Sequence, residues 1–307
     1  MEIINRLKTA LQILLGGTTP QMPLPQGCKQ EKTIIREPES SAALPDRLLA
    51  GKNVLITGAG KNIGRSAALE MARQGANIFF TDIDNLALKK LQQELMGLQV
   101  SSRSFFSDVS EIDSIDALYA FLDKNRIAID ILVNNVGLEN RAATEIKKLE
   151  PQEWDKTFRT NVFGPAYLTK LIAQMMIHNS TPGSILFITS IHETTIRHIP
   201  SYSASKAALG MIVKELAIEL APYGIRVNGI APGCVAEDEQ GNTVSYMNVP
   251  LHKSSINPSY IGRAAVYLSS DYFSKFTTGS TIKIDAGVTL HNHLSVLETY
   301  FRRSDPL

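Results

Sequence analysis

The sequence predicts an α/β fold with a single doubly wound parallel sheet and helices on both faces. Segments typical of strands and segments typical of helices alternate from residue 48 onward. Several strand segments are continuous apolar runs, which is typical of strands buried on both faces. A glycine-rich turn at residues 58–64 joins the first strand segment to the first helix segment. Repeated strand–helix units of this kind form parallel sheets with right-handed crossovers.

The predicted elements follow one another in a regular order. The expected strands are 52–57, 76–82, 102–107, 129–133, 184–189, 226–231 and 281–284. The expected helices are 65–74, 87–98, 112–125, 203–222 and 258–269, and residues 151–178 hold helical segments interrupted near Gly164 and Pro165. Because ligands bind at the carboxyl ends of the strands in such sheets, we expect the functional residues at those ends.

The chain divides into four predicted regions. Residues 1–15 are expected to form an amphipathic helix, since apolar residues recur at helical spacing. That helix either docks on the domain, a partner or a membrane surface, or frays as a tail. Residues 16–47 are rich in Pro, Gly and Gln and are predicted to be a linker. The α/β domain spans 48–290, and 291–307 are a C-terminal extension.

Composition limits the classes of function. The 307 residues are 44% hydrophobic with a formal net charge of +1, which fits one soluble domain and gives no reason to expect a nucleic-acid partner. No apolar run reaches the roughly 18 residues of a membrane-spanning helix. Cys28 and Cys234 lack metal-ligand spacing, so we expect no metal site and a reducing, cytoplasmic location.

The glycine turn is typical of a dinucleotide site. Backbone N–H groups at the start of a helix can bind a pyrophosphate when a glycine turn joins that helix to a strand. Gly58 permits the tight turn, and Gly64 permits close packing of the helix on the strand. A glycine triplet alone is weak evidence for such a site, but here a strand segment precedes it and a helix segment follows it. The cofactor-binding residues expected from this turn are Gly58, Gly60, Lys61, Asn62, Ile63 and Gly64.

Asp82 predicts which dinucleotide binds. It ends the second strand, where a carboxylate accepts hydrogen bonds from ribose hydroxyls and repels a 2′-phosphate. We therefore expect NAD. Lys61 favours NADP instead, because a cation in the turn can meet a 2′-phosphate. A further interpretation of Asp82 is an ordinary turn residue before Asn85.

Tyr202 and Lys206 predict the chemistry. They are four residues apart in a helical segment, so both side chains lie on one face. A neighbouring ammonium favours the phenolate and makes the tyrosine a general acid/base near neutral pH. Ser190 follows the apolar strand 184–189 and can hold a substrate oxygen. Taken alone, such a pair is more often an ordinary surface pair on a helix.

Eight motifs in order and spacing resemble the short-chain dehydrogenase/reductase family. The motifs are Thr57-Gly58-x-x-x-x-x-Gly64, Asp108-Val109, Asn134-Asn135-Val136-Gly137, Asn161, Ser190, Tyr202-x-x-x-Lys206, Pro232-Gly233 and Asp285-Ala286-Gly287. The resemblance covers residues 48–290 and implies a Rossmann-type fold with NAD(P)-dependent oxidoreductase activity.

The resemblance implies a role for each catalytic position. Tyr202 is then the acid/base, and Lys206 lowers its pKa and binds the nicotinamide ribose. Ser190 orients the substrate oxygen. Asn161 holds a water in a proton relay from Lys206 to solvent. The further cofactor contacts implied are Asp108, Val109, Asn135, Gly137, Pro232, Gly233 and Val235, with Asn134 bracing the central strands.

Three positions depart from the family pattern. Asn62 stands where a third glycine is usual, and asparagine tolerates left-handed backbone angles better than most residues. Val136 replaces an alanine. Glu237 replaces a threonine that usually helps to hold the nicotinamide amide and the phosphates, which puts that contact in question.

The substrate side is predicted from two segments, 192–201 and 235–257. Ser190, His192 and Tyr202 are the expected substrate contacts, and His192 is otherwise a loop-packing residue. The polar second segment fits a hydroxylated substrate, or else a solvated lid. His291 and His293 lack a carboxylate partner and are expected to be solvated. Apolar residues after 293 either close the pocket of the same or a neighbouring subunit or pack on the surface.

The leading functional hypothesis is hydride transfer between NAD(H) and a secondary alcohol or ketone, with a sugar-like substrate. One alternative is an NADPH-dependent carbonyl reductase of a biosynthetic pathway that acts on a 3-oxoacyl-thioester-like substrate. Another is a non-catalytic dinucleotide-binding assembly subunit, which Glu237 and the N-terminal helix favour. The resemblance also implies a homodimer or homotetramer joined through the helices that hold Asn161 and Tyr202.

Overall fold

The computed structural model describes residues 44–139, 150–237, 242–245 and 249–290. The predicted N-terminal helix 1–15, the linker up to residue 43 and the extension 291–307, with His291 and His293, lie outside these residues. None of the helices in the described part of the chain combines the length and apolarity that crossing a membrane requires.

Seven strands form one sheet in the order β3-β2-β1-β4-β5-β6-β7, and every neighbouring pair is parallel. The strands are β1 Asn53–Thr57, β2 Asn77–Asp82, β3 Ser102–Phe106, β4 Ile131–Asn134, β5 Ser184–Ile188, β6 Arg226–Pro232 and β7 Thr281–Ile284. The strand order changes direction between β1 and β4, which is where ligands bind in such sheets. The predicted fold class is confirmed.

Helices connect the strands. They are α1 Asn62–Arg73, α2 Asn85–Met96, α3 Ile112–Lys124, α4 Pro151–Phe158, α5 Gly164–His178, α6 Pro200–Leu220, α7 Pro258–Ser269 and α8 Asp271–Ser274. A π-helical turn, Arg159–Phe163, joins α4 to α5, and a 3-10 turn, Ile191–Glu193, precedes α6.

Two hydrophobic cores lie on opposite faces of the sheet. Val54 and Ile56 of β1 point into a core shared with α1, α2 and α7, whereas Leu55 points into a core shared with α3, α5 and α6. This alternation follows from the two-residue period of a strand. Full burial of one such side chain contributes about 1.5–3 kcal/mol, so the strands are held from both sides.

Three helix positions differ from the sequence prediction. The interruption expected near Gly164 is the π-helical turn, and Pro165 lies in the first turn of α5, directly after it. Helix α6 begins at Pro200 rather than residue 203, which brings Tyr202 into its first turn. Helix α1 begins at Asn62 rather than residue 65.

Candidate active site

One cleft of about 1310 Å³ runs along the carboxyl ends of the strands. It contains most of the residues predicted from the sequence. The predicted residues that line it are Gly58, Lys61, Asn62, Ile63, Asp82, Asp108, Val109, Asn135, Gly137, Ser190, His192, Tyr202, Lys206, Pro232, Gly233 and Val235. Gly60, Gly64 and Asn161 are not among the described residues that line it.

The turn after β1 has the backbone that its residues predicted. Gly58 has φ +61°, and Asn62 has φ +51°, so asparagine adopts the left-handed conformation at the position of the missing glycine. A Cβ on Gly64 would lie 2.9 Å from the Cα of Ala59, so only glycine lets α1 approach the turn this closely.

The start of α1 fits an anionic ligand. Lys61 precedes the helix with extended backbone angles, and no side chain in the described residues caps the first-turn N–H groups. Uncapped N–H groups at a helix start carry partial positive charge and bind phosphate. The turn therefore suits the pyrophosphate of a dinucleotide.

Asp82 both braces the turn and faces the cleft. Its Oδ2 accepts a hydrogen bond of 2.8 Å from the Gly60 N–H, and its Oδ1 accepts one of 3.0 Å from the Asp84 N–H. A carboxylate has about four acceptor positions, so capacity remains for ribose hydroxyls. Asp82 can therefore hold the turn and also accept hydrogen bonds from a cofactor ribose, although these roles were alternatives from the sequence alone.

The ends of β3 and β4 complete the dinucleotide half of the cleft. Asp108 Oδ1 accepts hydrogen bonds of 2.9 and 2.7 Å from the backbone N–H and hydroxyl of Ser110, which fixes the loop beside the buried Val109. Asn135 Nδ2 donates to the carbonyls of Thr57 and Gly58 at 3.0 and 2.9 Å. Asn135 thus ties the end of β4 to the glycine turn.

Asn134 braces a helix rather than the central strands alone. Its Nδ2 donates a 2.9 Å hydrogen bond to Thr169 Oγ1 on α5. The side chain is buried, and within the described residues its Oδ1 has no hydrogen-bond partner. The contact holds α5 against the end of β4.

Ser190 and His192 stand beside Tyr202. The Ser190 Oγ accepts a 3.2 Å hydrogen bond from the His192 N–H, so the serine proton is left to donate elsewhere. The His192 ring meets the Tyr202 ring edge-on, with centroids 4.9 Å apart, and its Nδ1 lies 2.9 Å from Ser203 Oγ. These contacts hold the imidazole at the wall of the cleft.

Lys206 is almost wholly buried, with 2% of its surface exposed. Its Nζ donates a 2.8 Å hydrogen bond to the Ile188 carbonyl and lies 5.5 Å from the centre of the Tyr202 ring. Burial lowers the pKa of Lys206 to about 8, and the charge of Glu139 partly opposes that shift. Gly137 leaves room for the ammonium, since a Cβ there would lie 3.2 Å from Nζ.

Asn161 lies in the π-helical turn, fully buried behind the cleft. Its Oδ1 accepts from the Leu138 N–H at 2.7 Å, and its Nδ2 donates to the Leu138 carbonyl at 3.0 Å and to Ser205 Oγ at 2.9 Å. Both amide protons are therefore used within the protein. A water could contact this side chain only as a donor to Oδ1.

The segment after β6 closes the other end of the cleft. The Gly233 N–H donates a 2.8 Å hydrogen bond to the Ile284 carbonyl, and Val235 pairs with Ile256. Glu237 pairs with Thr243 through the backbone, and it is not among the described residues that line the cleft.

Sequence reasoning missed several residues of the site. Ser205 links Asn161 to α6, and its only sequence signal was its place beside Lys206. Glu193 packs on α6, and Lys156 lines the cleft, although neither belongs to a motif. Arg197 also lines it. No sequence pattern marked Lys156, whereas Glu193 and Arg197 stand in the segment 192–201 that was expected to wall the pocket.

Comparison with known proteins identifies relatives along the whole α/β domain. A family profile described as "Enoyl-(Acyl carrier protein) reductase" matches residues 58–289. The 3beta-hydroxysteroid dehydrogenase 1 of Eggerthella lenta is 30% identical over 253 residues, which covers 79% of this chain and 95% of that protein. The 5-keto-D-gluconate 5-reductase of Escherichia coli is 33% identical over 253 residues, which covers 78% and 96%.

A solved structure agrees with these relatives. The 7α-hydroxysteroid dehydrogenase, determined with NADH and 7-oxo glycochenodeoxycholic acid, superposes with a TM-score of 0.72 at 29% identity. The match covers 80% of this chain and 98% of that one. From the family profile, the relatives and the parallel sheet together, the chain belongs to the short-chain dehydrogenase/reductase family, oxidoreductases that act on hydroxyl and keto groups.

Proposed function

We propose that this protein is an NAD-dependent dehydrogenase/reductase that interconverts a secondary alcohol and a ketone, with Tyr202 as the general acid/base. One observation carries the proposal: the glycine turn and the set Ser190, Tyr202 and Lys206 line the same cleft. A dinucleotide at the turn and a substrate at Tyr202 would therefore share one enclosed space.

NAD, when bound, supplies or accepts a hydride at nicotinamide C4. The residues that would hold its pyrophosphate are Gly58, Lys61, Asn62 and Ile63, supported by Gly60 and Gly64. Asp82 would accept hydrogen bonds from the adenine ribose, and Asp108 and Val109 would contact the adenine. The nicotinamide end would be held by Asn135, Gly137, Pro232, Gly233 and Val235.

The chain's own residues move the proton. In oxidation, the Tyr202 phenolate takes the hydroxyl proton of the substrate, and in reduction the phenol returns it. Ser190 donates its free hydroxyl proton to the substrate oxygen. The Lys206 ammonium, fixed by the Ile188 carbonyl, stabilises the phenolate. Asn161 would take part in the proton relay from Lys206 to solvent by accepting a hydrogen bond from a water at its Oδ1.

A polyhydroxylated, sugar-like substrate fits the polar wall beside Tyr202. His192 lines the cleft there, held by Ser203, and its imidazole would contact a substrate hydroxyl. Thr160 adds a further hydroxyl to the lining. The Escherichia coli relative is named for a ketone of this class. The non-catalytic alternative loses support, because Glu237 is not among the described residues that line the cleft.

The NADPH-dependent alternative has one observation in its favour: Lys61 is exposed and lines the cleft beside the turn. Fluorescence titration with NADH and NADPH decides between the two nucleotides. Tighter NADH binding supports the role given to Asp82. Tighter NADPH binding would instead support a role for Lys61 in cofactor binding and favour the hypothesis of a reductive biosynthetic reaction.

The experiment that tests the activity itself is Tyr202→Phe. This variant keeps the ring and removes the hydroxyl that carries the proton. We expect turnover of secondary alcohols to be lost and NADH binding to stay within about twofold of the wild type. Turnover near the wild-type rate would overturn the mechanism.

A homodimer or homotetramer in the cytoplasm completes the proposal. Large apolar side chains are exposed where the resemblance implies contacts, with Phe163 58%, Met211 55% and Ile218 71% exposed. Association would remove this apolar surface from water. Light scattering of the purified protein measures the mass, and cell fractionation measures the location.

A further inference from the structure

The charged residues that line the cleft differ in sign along the sheet, apart from Lys61 beside the glycine turn and Glu139 after β4. Asp82 and Asp84 follow β2, and Asp108 follows β3. Lys156, on α4 after β4, and Arg197, after β5, line the cleft on the other side of β1. The acidic half is the proposed adenosine half, and the basic half contains Tyr202.

Among the residues that the structure describes, none neutralises Lys156 or Arg197. Within the part of the chain that the structure describes, the side chains of Lys156 and Arg197 make no ion pair and no hydrogen bond. Arg65 and Arg226, in contrast, are each paired with a carboxylate. A guanidinium that borders a reaction cleft without a partner can bind a planar carboxylate through two parallel hydrogen bonds.

The backbone holds Arg197 at the cleft. The next residue, His198, has φ +59°, an unusual conformation for a residue other than glycine. Ile199 is buried, and its carbonyl accepts a 2.9 Å hydrogen bond from the Ser203 N–H on α6. Arg197 is therefore anchored a few residues before Tyr202.

The acidic residue on this half has a cationic neighbour of its own. Glu139 lines the cleft, and its charge acts on Lys206, whose pKa it raises. His192, His198 and Cys234 are the other titratable side chains, besides Tyr202 and Lys206, that line this half among the described residues. The remaining positive charge belongs to Lys156 and Arg197.

We propose that Arg197, assisted by Lys156, binds a carboxylate on the substrate, so that the substrates are hydroxy acids and the corresponding keto acids. The inference rests on the proposed function, because Arg197 would bind the carboxylate of the same substrate on which Tyr202 acts. A neutral polyol would leave both cations without a partner.

The test compares sugar acids with the sugar alcohols of the same hydroxyl configuration, D-gluconate with D-glucitol and D-galactonate with D-galactitol. These pairs differ by a carboxylate in place of a hydroxymethyl group. We expect the acid to bind the NADH complex at least about tenfold more tightly by calorimetry, and to have the higher kcat/KM with NAD. High salt reduces the difference, because it screens exposed charges.

The variants assign the effect to the two cations. Arg197→Ala should raise KM for the acid about 10- to 100-fold with NADH affinity unchanged, as expected for loss of a charged hydrogen bond. Arg197→Lys should recover part of that loss, and Lys156→Ala should have a smaller effect. Arg263→Ala, an exposed arginine on α7 outside the cleft, is the matched control.

Two results would overturn the inference. One is equal affinity of acid and alcohol for the wild-type complex in both pairs. The other is an equal loss for acid and alcohol in Arg197→Ala, which would mean that the arginine only supports the loop. A failure of the proposed function would be distinguishable from a failure of this inference. In that case Tyr202→Phe would keep its turnover for acids and alcohols alike.

Discussion

The carboxylate of Glu193 occupies the space above Gly210 that the Cβ of any other residue would fill. A Cβ built on Gly210 would lie 2.6 Å from the Cγ of Glu193. Glu193 ends the 3-10 turn that Ser190 caps, and Gly210 lies one helical turn beyond Lys206 on α6. This contact fixes the turn that carries Ser190 and His192 against the helix that carries Tyr202 and Lys206.

Gly210→Ala should therefore lower kcat more than cofactor affinity. The added methyl group would displace the Glu193 carboxylate, and we expect the turn that carries Ser190 to shift with it. We expect about a tenfold or greater loss of kcat and about 1–3 kcal/mol of stability, as is usual for overpacking. Steady-state kinetics and thermal unfolding measure the two effects.

Two variants separate this steric effect from a general weakening of α6. Met211→Ala, at the adjacent exposed position, should leave kcat nearly unchanged. Adding Glu193→Ala to Gly210→Ala should restore part of kcat, because the smaller side chain leaves room for the methyl group. If kcat did not recover in the double variant, the clash with Glu193 would not be the cause of the loss.

Lys206 predicts that NADH binding depends on pH. Its pKa of about 8 means that the ammonium loses its charge as the pH rises through that value. We expect the NADH dissociation constant to increase over the same range, since the ammonium would contact the nicotinamide ribose. Glu139→Gln removes a carboxylate that raises the pKa of Lys206, so the change should occur at lower pH.

The same lysine affects stability with a defined sign. Its pKa is lowered on folding from 10.5 to about 8, so between these values the unfolded chain binds more protons. The contribution of Lys206 to the free energy of unfolding therefore rises with pH in that window. Lys206→Met should abolish this contribution, which urea unfolding at several pH values would detect. A pH dependence identical to that of the wild type would contradict the assignment.

Asp82 predicts the nucleotide preference. Asp82→Ala removes acceptors for the ribose hydroxyls and the repulsion of a 2′-phosphate. We expect NADH affinity to fall about 10- to 100-fold, as for loss of hydrogen bonds to a charged group, and NADPH affinity to hold or rise. Because Asp82 also accepts from the Gly60 N–H, Asp82→Asn is the control that keeps a side-chain oxygen while removing the charge. Parallel losses of NADH and NADPH in both variants would indicate a collapsed turn instead.

Arg226 predicts a stability effect separate from the chemistry. The guanidinium is buried and donates to the carbonyls of Leu268 and Ser269 at the end of α7, at 2.6 and 3.1 Å, and to Asp271 at 3.2 Å. Arg226→Met removes these hydrogen bonds, but Ser274 Oγ still donates to the Leu268 carbonyl and Asp271 is exposed, so we expect a loss of about 1–3 kcal/mol. Thermal unfolding measures it, with Arg263→Ala as the exposed control. A change in the melting temperature no larger than that of the control would show that water replaces the arginine.

The sequence predicted the seven strands because each depends on a local pattern. Apolar runs such as 184–189 can be recognised wherever they pack, and Asn62 was expected to tolerate the left-handed angle that it adopts. The starts of α6 and α1 were predicted too late, at 203 and 65 rather than Pro200 and Asn62, since helix ends depend on caps and on neighbouring packing. An interruption was expected near Gly164, but nothing in the local pattern indicated that it would be a π-helical turn.

By itself, the sequence determined the parallel α/β sheet and the cofactor and catalytic residues expected at the strand ends, because parallel strands bring their carboxyl ends to one edge. Tertiary structure alone decided which side chains meet across separate crossovers. The contact of Glu193 with Gly210, the amide contacts of Asn161 and the presence of both Lys156 and Arg197 in the lining of one cleft are of this kind. Such distances depend on how helices pack on the sheet, and residue spacing along the chain does not contain them.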